Sequence, residues 1–313
     1  CSSHHMTKPS EPQHFAFLDA LRGIAALAVV VVHTAQNFST GWFDLILGHG
    51  AAGVQLFYVI SAYSLCLSFE QRKTTEKNSL RNYVLRRFFR IAPLFWFAVL
   101  VYLLKPLILP MYAAPVDVHP PTWVLAPWHV LTTLLFVYGW HYQSINFIVP
   151  GGWSVAVESN FYLLLPVLFA AARNARRSVA VVALTLVAAV VCRKALYLLF
   201  AGSVPENQLE AFGIFAWLWL PSQLPIFALG ILMYWLVPRS SLNASAGGLT
   251  RRLMLPLSLC ACAIAYTVSA PDALLRFVPA QFAIGLVLLA FSWLLAWWPM
   301  VLVVNRATMF WVR

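Results

Sequence analysis

From residue 15 onward the chain alternates long apolar runs with short polar stretches. A helix needs about 20 apolar residues to cross a bilayer. Runs near that length fall at about 15–36, 51–69, 91–109, 151–172, 179–192, 215–237, 253–269 and 279–298. One further apolar run, 128–140, has only 13 residues and is short for a crossing. The pattern predicts an all-α, polytopic transmembrane helical bundle. It has eight clear spans plus a short re-entrant or ninth segment.

The first run, FLDALRGIAALAVVVVHTAQN, carries ionisable residues at Asp19, Arg22 and His33. Charge inside an apolar span is expensive and is a functional hypothesis by default. Arg22 and His33 are eleven residues apart, three helical turns plus about 20°, so both lie on one face about 16 Å apart along the axis. Asn37 extends the same stripe by one turn, and Asp19 precedes Arg22 by one turn. The first helix therefore has a polar seam that the rest of the chain must cover.

Composition agrees with a membrane bundle. Of 313 residues, 61% are hydrophobic and only 10% charged, against about 25% charged in soluble domains. The 13 Trp suit interfacial belts. The net charge of +11 sits in short loops, where it sets topology rather than binding nucleic acid. The stretch 70–90 holds seven Lys/Arg against two Glu and marks the cytoplasmic side. With the amino terminus inside and 128–140 dipping in without crossing, only Lys105, Arg193, Lys194 and Arg276 remain outside. If 128–140 crosses, more of the basic residues move outside, so the positive-inside rule favours the re-entrant form. Cys66, Cys192, Cys260 and Cys262 lie in apolar context with no accompanying ligand set, and no metal site is expected. Residues 1–14 read as a polar leader or tag remnant. No signal-peptide pattern, fixed-period repeat, P-loop or HExxH occurs.

Three groups of residues carry candidate chemistry. His33 suits general-base work on a hydroxyl, against the plainer reading of a core histidine bonded to a carbonyl. Ser154, Glu158 and Tyr162 are spaced i, i+4, i+8 and form one helical stripe. An unpaired Glu158 in a span would protonate, so it needs a partner, with His33 or Arg22 the obvious candidates. A Glu–His pair would orient the imidazole and stabilise its cation; a structural ion pair is the alternative. Arg86, Arg87 and Arg90 open the third span, where they suit either phosphate binding or lipid-headgroup anchoring.

In order along the chain, these stretches resemble the acyltransferase 3 family of membrane acyltransferases. Its first helix carries Arg, ten residues and His in a pattern like FLDGLRGIAALLVVLFH; here it is FLDALRGIAALAVVVVH, with Arg22 and His33. A block like FFVISG appears as LFYVISA, with Ala62 for the usual Gly. The cytoplasmic Arg-x-x-Arg is matched by Arg87 and Arg90. WSLxxExxFY appears as WSVAVESNFY, departing only at Val155, and LPxFxxG as LPIFALG. The family's closing pattern, roughly GRISYSLYLLH, is absent, so 15–313 reads as a carboxy-terminally incomplete membrane acyltransferase domain without a hydrolase-like extension.

The resemblance implies acyl transfer, usually of acetyl, from cytoplasmic acyl-CoA to a hydroxyl of a cell-surface or lipid-linked carbohydrate such as lipopolysaccharide. It implies a multi-pass protein of a bacterial inner membrane, with carbohydrate or glycolipid acceptor and membrane lipid as its partners. His33 would act as general base or acyl carrier, supported by Glu158. Arg22, Arg86, Arg87 and Arg90 would hold the donor, and Asp19, Asn37, Ser154 and Tyr162 would support them. The competing class is a transporter or flippase with a polar midplane pathway. A scaffold with purely structural ion pairs is the third.

Overall fold

A computed structural model describes residues 16–35, 52–73, 75–108, 125–237 and 280–297. Among these residues there is no strand, as the sequence predicts. The helices are α1 (Ala16–Ala35), α2 (Ala52–Lys73), α3 (Ser79–Ile108), α4 (Pro127–Leu134), α5 (Trp153–Ala171), α6 (Ala175–Phe200), α7 (Leu209–Leu218), α8 (Leu220–Leu236) and α9 (Ala280–Trp297). Among the described residues, five helices are long and apolar enough to cross a membrane, counting α7 and α8 as one unit. They are α2, α3, α5, α6 and that unit. The twenty residues of α1 rise about 30 Å. The predicted span at 253–269 lies outside the described residues.

Four predicted runs differ from expectation, one of them 215–237, which is divided at the extended Trp219 between α7 and α8. The third span begins at Ser79 rather than 91, so Arg86, Arg87 and Arg90 lie within a continuous 30-residue helix. Leu80, Arg81, Leu85, Arg86 and Arg87 favour a helix, and no Gly or Pro interrupts 79–90, so the span extends beyond its apolar part. The run 179–192 is likewise the middle of a 26-residue helix, started by Asn174, whose side chain accepts from the Arg177 backbone N–H. The run 128–140 becomes α4, with Pro127 in its first turn, then a short 3-10 turn at Tyr138–Trp140. Eight residues rise about 12 Å, too little to cross a bilayer.

The core is centred on α8, buried along most of its length and packed against α2, α5, α6, α7 and α9. In contrast, α3 and α6 expose Leu94, Phe97, Val101, Leu184, Val187 and Leu198, an arrangement suited to lipid. Aromatic stacking ties three helices together. Phe227 of α8 stacks on Tyr58 of α2 at 4.3 Å and on Phe161 of α5 at 3.9 Å. One turn on, Gly230 meets α2 backbone to backbone. A Cβ there would collide with the Val59 carbonyl and lie 2.7 Å from the Ala62 Cβ. Small residues at both positions allow this approach, the usual basis of helix packing in lipid.

Gly230→Ala is therefore expected to lower stability, and Gly230→Leu to lower it further, by about 1–3 kcal/mol. Thermal unfolding of the detergent-solubilised protein measures this; unchanged melting for both variants contradicts the packing described.

Candidate active site

Glu158 sits five residues into α5, about 8 Å of helix rise from Trp153. Its Oε1 accepts from Ser61 of α2 at 2.5 Å and from the Tyr162 hydroxyl at 2.6 Å. The Tyr162 bond is the stripe read from the i, i+4 spacing. The Ser61 bond is not legible in any spacing, because the two residues are 97 apart in sequence. The expected direct partners, His33 and Arg22, do not bond Glu158. Short neutral hydroxyls satisfy the carboxylate without a second buried charge. Ser154 turns away from the stripe, its hydroxyl donating to the Gly151 carbonyl at 3.1 Å.

Arg22 meets α2 about one turn further along, at Ser64. Its guanidinium pairs with Asp19 at 3.1 Å and donates to Ser64 at 2.8 Å. Ser61 and Ser64 are three apart on α2, so one helix face carries a hydroxyl to Glu158 and another to Arg22.

His33 lies near the far end of α1, exposed, with Nδ1 2.8 Å from the Val29 carbonyl. A carbonyl only accepts, so Nδ1 carries the proton in the neutral ring and Nε2 keeps its lone pair. Nε2 points towards Gly151, where a Cβ would sit 3.9 Å away. Gly151 has φ +75°, a left-handed backbone that favours glycine. The loop is clamped there. The Gly151 N–H donates to Asn146 at 2.7 Å, and Tyr138 donates to the Gly152 carbonyl at 2.5 Å. His33 and Glu158 are thus separated by the first turns of α5, which leaves Nε2 free for another partner. Asn37 lies outside the described residues.

The three arginines of α3 have different surroundings. Arg86 is held by both oxygens of Glu76, at 2.8 and 2.9 Å, and braces the turn between α2 and α3. Arg87 lies over the rings of Tyr83 and Tyr162 at 5.9 and 5.8 Å. Arg90 is exposed. Tyr83 donates to the Tyr162 carbonyl at 3.1 Å, so α3 and α5 meet beside the carboxylate. Among the described residues no cluster of His, Cys, Asp or Glu could hold a metal.

An acyltransferase domain model matches residues 15–310, nearly the whole chain. The chain belongs to the acyltransferase 3 family. Curated relatives include the O-acetyltransferase OatA of Staphylococcus aureus strains NCTC 8325 and COL. Each is 26% identical over 171 residues, 51% of this chain and 26% of the relative. The chain thus matches about a quarter of the length of these relatives. No solved structure matches it. The stretches that carry the resemblance lie at Arg22, about two turns into α1, at His33 in its last turn, at Glu158 within α5 and at Gly230 against α2. Ser61, Ser64, Asn146 and Tyr138 were not singled out by spacing. The two serines, three apart in an apolar span, carried a signal; the other two became meaningful only through folding.

Two measurements check these contacts. Ser61→Ala and Tyr162→Phe each remove a hydrogen bond to a carboxylate, and each is expected to cost about 1.5–3 kcal/mol in thermal unfolding; no loss in either variant contradicts the described bonding. In the turn, hydrogen bonding from Arg86 holds the Glu76 carboxyl below its ordinary value of 4.5. A lowered folded value contributes stability above the ordinary carboxylate range, lost as pH falls through the lowered value. The melting advantage of wild type over Glu76→Gln should therefore be full at neutral pH and shrink on acidification below about pH 4.5. A pH-independent difference contradicts the pairing.

Proposed function

We propose that this acyltransferase 3 chain moves an acyl group, acetyl in the family's commonest case, from cytoplasmic acyl-CoA to a hydroxyl of a cell-surface or lipid-linked carbohydrate. The observation that carries the reading is His33: Nδ1 bonded to the Val29 carbonyl, Nε2 open beside the clamped Gly151 loop. That is the tautomer a general base needs.

In the reaction, Nε2 removes the proton of the acceptor hydroxyl. The hydroxyl oxygen attacks the thioester carbonyl carbon, forming the C–O bond. The C–S bond then breaks, and the CoA thiolate takes the proton from the imidazolium. The cation formed midway is stabilised by the negative charge of Glu158, acting through a low-dielectric interior rather than a direct bond. Ser61 and Tyr162 hold that carboxylate in place through their two hydrogen bonds. Arg22 and the exposed Arg90 suit the donor's phosphates, with Asp19 aligning Arg22. Arg86, bound to Glu76, supports that end of the bundle instead of gripping donor. This use of acyl-CoA and carbohydrate fits a multi-pass protein of a bacterial inner membrane with a cytoplasmic amino terminus.

His33→Ala is expected to insert and purify normally yet lose about 10²–10⁴-fold in transfer rate. The assay follows label from radiolabelled acetyl-CoA into glycan in isolated membranes. Full activity of His33→Ala rules out the assigned base.

A further inference from the structure

Asn146 is exposed, yet the chain on both sides of it is held down. Ser144, Ile145 and Ile148 are buried, and Phe147 is half-buried. The Ser144 hydroxyl lies 3.0 Å from Nδ1 of His129, a buried residue of α4. The Phe147 ring packs on the same imidazole, with 4.6 Å between centroids. Ile145 enters the apolar cluster of Phe212, Phe215 and Trp219. These contacts fix the backbone of the loop. A polar side chain presented at the surface by a fixed loop is a candidate for binding rather than for packing.

The carboxamide of Asn146 is oriented as well. The Gly151 N–H can only donate, so the Asn146 atom 2.7 Å away is the carbonyl Oδ1. That leaves Nδ2 with two N–H donors, and among the described residues it donates to none. Gly151 is also the residue that His33 faces, since a Cβ there would lie 3.9 Å from Nε2. The base and the carboxamide thus flank one residue. One removes a proton, and the other offers two hydrogen bonds to oxygen. Clamping Gly151 uses only Oδ1, and an Asp carboxylate would accept that N–H at least as well. The clamp therefore leaves the amide nitrogen without a role.

We propose that Asn146 recognises the acceptor: its Nδ2 donates to an oxygen next to the hydroxyl that His33 deprotonates, such as the vicinal hydroxyl of a sugar ring. The inference rests on the reading of His33 as the base. Place favours the acceptor over the acyl donor. His33 is in the last turn of α1, about three turns beyond Arg22. In the orientation that the positive-inside rule favours, that end faces away from the cytoplasm. An extracytoplasmic carbohydrate meets His33 and Asn146 first, while the phosphates of the acyl donor stay near the opposite face. Chemistry agrees, because a donor-only amide matches the lone pairs of sugar oxygens. A grip on the reactive hydroxyl alone would let the ring turn about it. A second contact on the neighbouring oxygen sets which hydroxyl reaches Nε2, so Asn146 decides the position that is acylated.

The test uses the full chain reconstituted in phospholipid vesicles, with radiolabelled acetyl-CoA and de-O-acetylated glycan extracted from the source membranes. Asn146→Asp keeps an oxygen for the Gly151 N–H and removes both amide donors. It is expected to melt like wild type and to need about tenfold more glycan for half-saturation, the scale of one lost hydrogen bond. Half-saturation by acetyl-CoA should not move. Each variant is compared at its own pH optimum, because a carboxylate near His33 shifts the titration of the imidazole. Asn146→Ala adds no charge; it should melt lower, since the clamp is lost, and should also raise the half-saturating glycan concentration. It keeps the test available if Asn146→Asp fails to fold. Wild-type half-saturation by glycan in either folded variant overturns the proposal and leaves Asn146 as a loop clamp. A matching rise in half-saturating acetyl-CoA overturns it too. So does an equal loss of acetate release to water and of transfer to glycan, which puts the amide on the thioester carbonyl. Failure of the underlying reading is seen separately, as full transfer by His33→Ala.

Discussion

A carboxylate in a membrane interior must be given donors, and much of this bundle is arranged around that need. Glu158 obtains one donor from its own helix, which costs nothing in topology. The other comes from Ser61 of α2, which requires α2 and α5 to meet at hydrogen-bond distance. The side chains of α8 hold them there. Phe227 stacks on Tyr58 of α2 and Phe161 of α5, while Gly230 lets α8 touch the α2 backbone. Packing in lipid lacks a hydrophobic drive between helices, so close contact of this kind supplies much of the attraction.

The polar groups form separate centres rather than one continuous seam. Arg22 with Asp19 and Ser64 lies in the first half of α1, and His33 facing Gly151 lies in its last turn. Glu158 stands between α2 and α5, with α3 reaching it through Tyr162. α2 joins two of the centres through serines on one face. Such separation suits a reaction in which donor and acceptor approach from different sides, since neither partner's site is filled by the other's ion pair.

Three neighbouring arginines have three environments. Arg86 is neutralised by Glu76, Arg90 is exposed, and Arg87 is sandwiched between two tyrosines at an apolar cavity. The helical repeat distributes consecutive side chains around the axis at 100° steps, so adjacent identical residues meet different neighbours. Their chemical type marks a basic helix end, but their individual partners depend on which helices lie alongside.

The sequence by itself determined the helical class, the phase of Arg22 and His33, the Asp19–Arg22 neighbourhood and the one-turn spacing of Glu158 and Tyr162. These rest on short-range periodicity, which a helix fixes locally. The resemblance in motif order reached the family for a related reason, since each motif is a contiguous stretch. The apolar pattern puts the start of the third span at 91 rather than 79, and the need of a buried carboxylate for a partner points to His33 or Arg22 rather than to two hydroxyls. Only the tertiary structure decided that Ser61 and Tyr162 satisfy the carboxylate, that Asn146 and Tyr138 clamp the loop beside His33, and that Arg87 borders a cavity. Those contacts join residues from separate helices and loops. Helix rotation and depth set them, and no spacing along one chain encodes either.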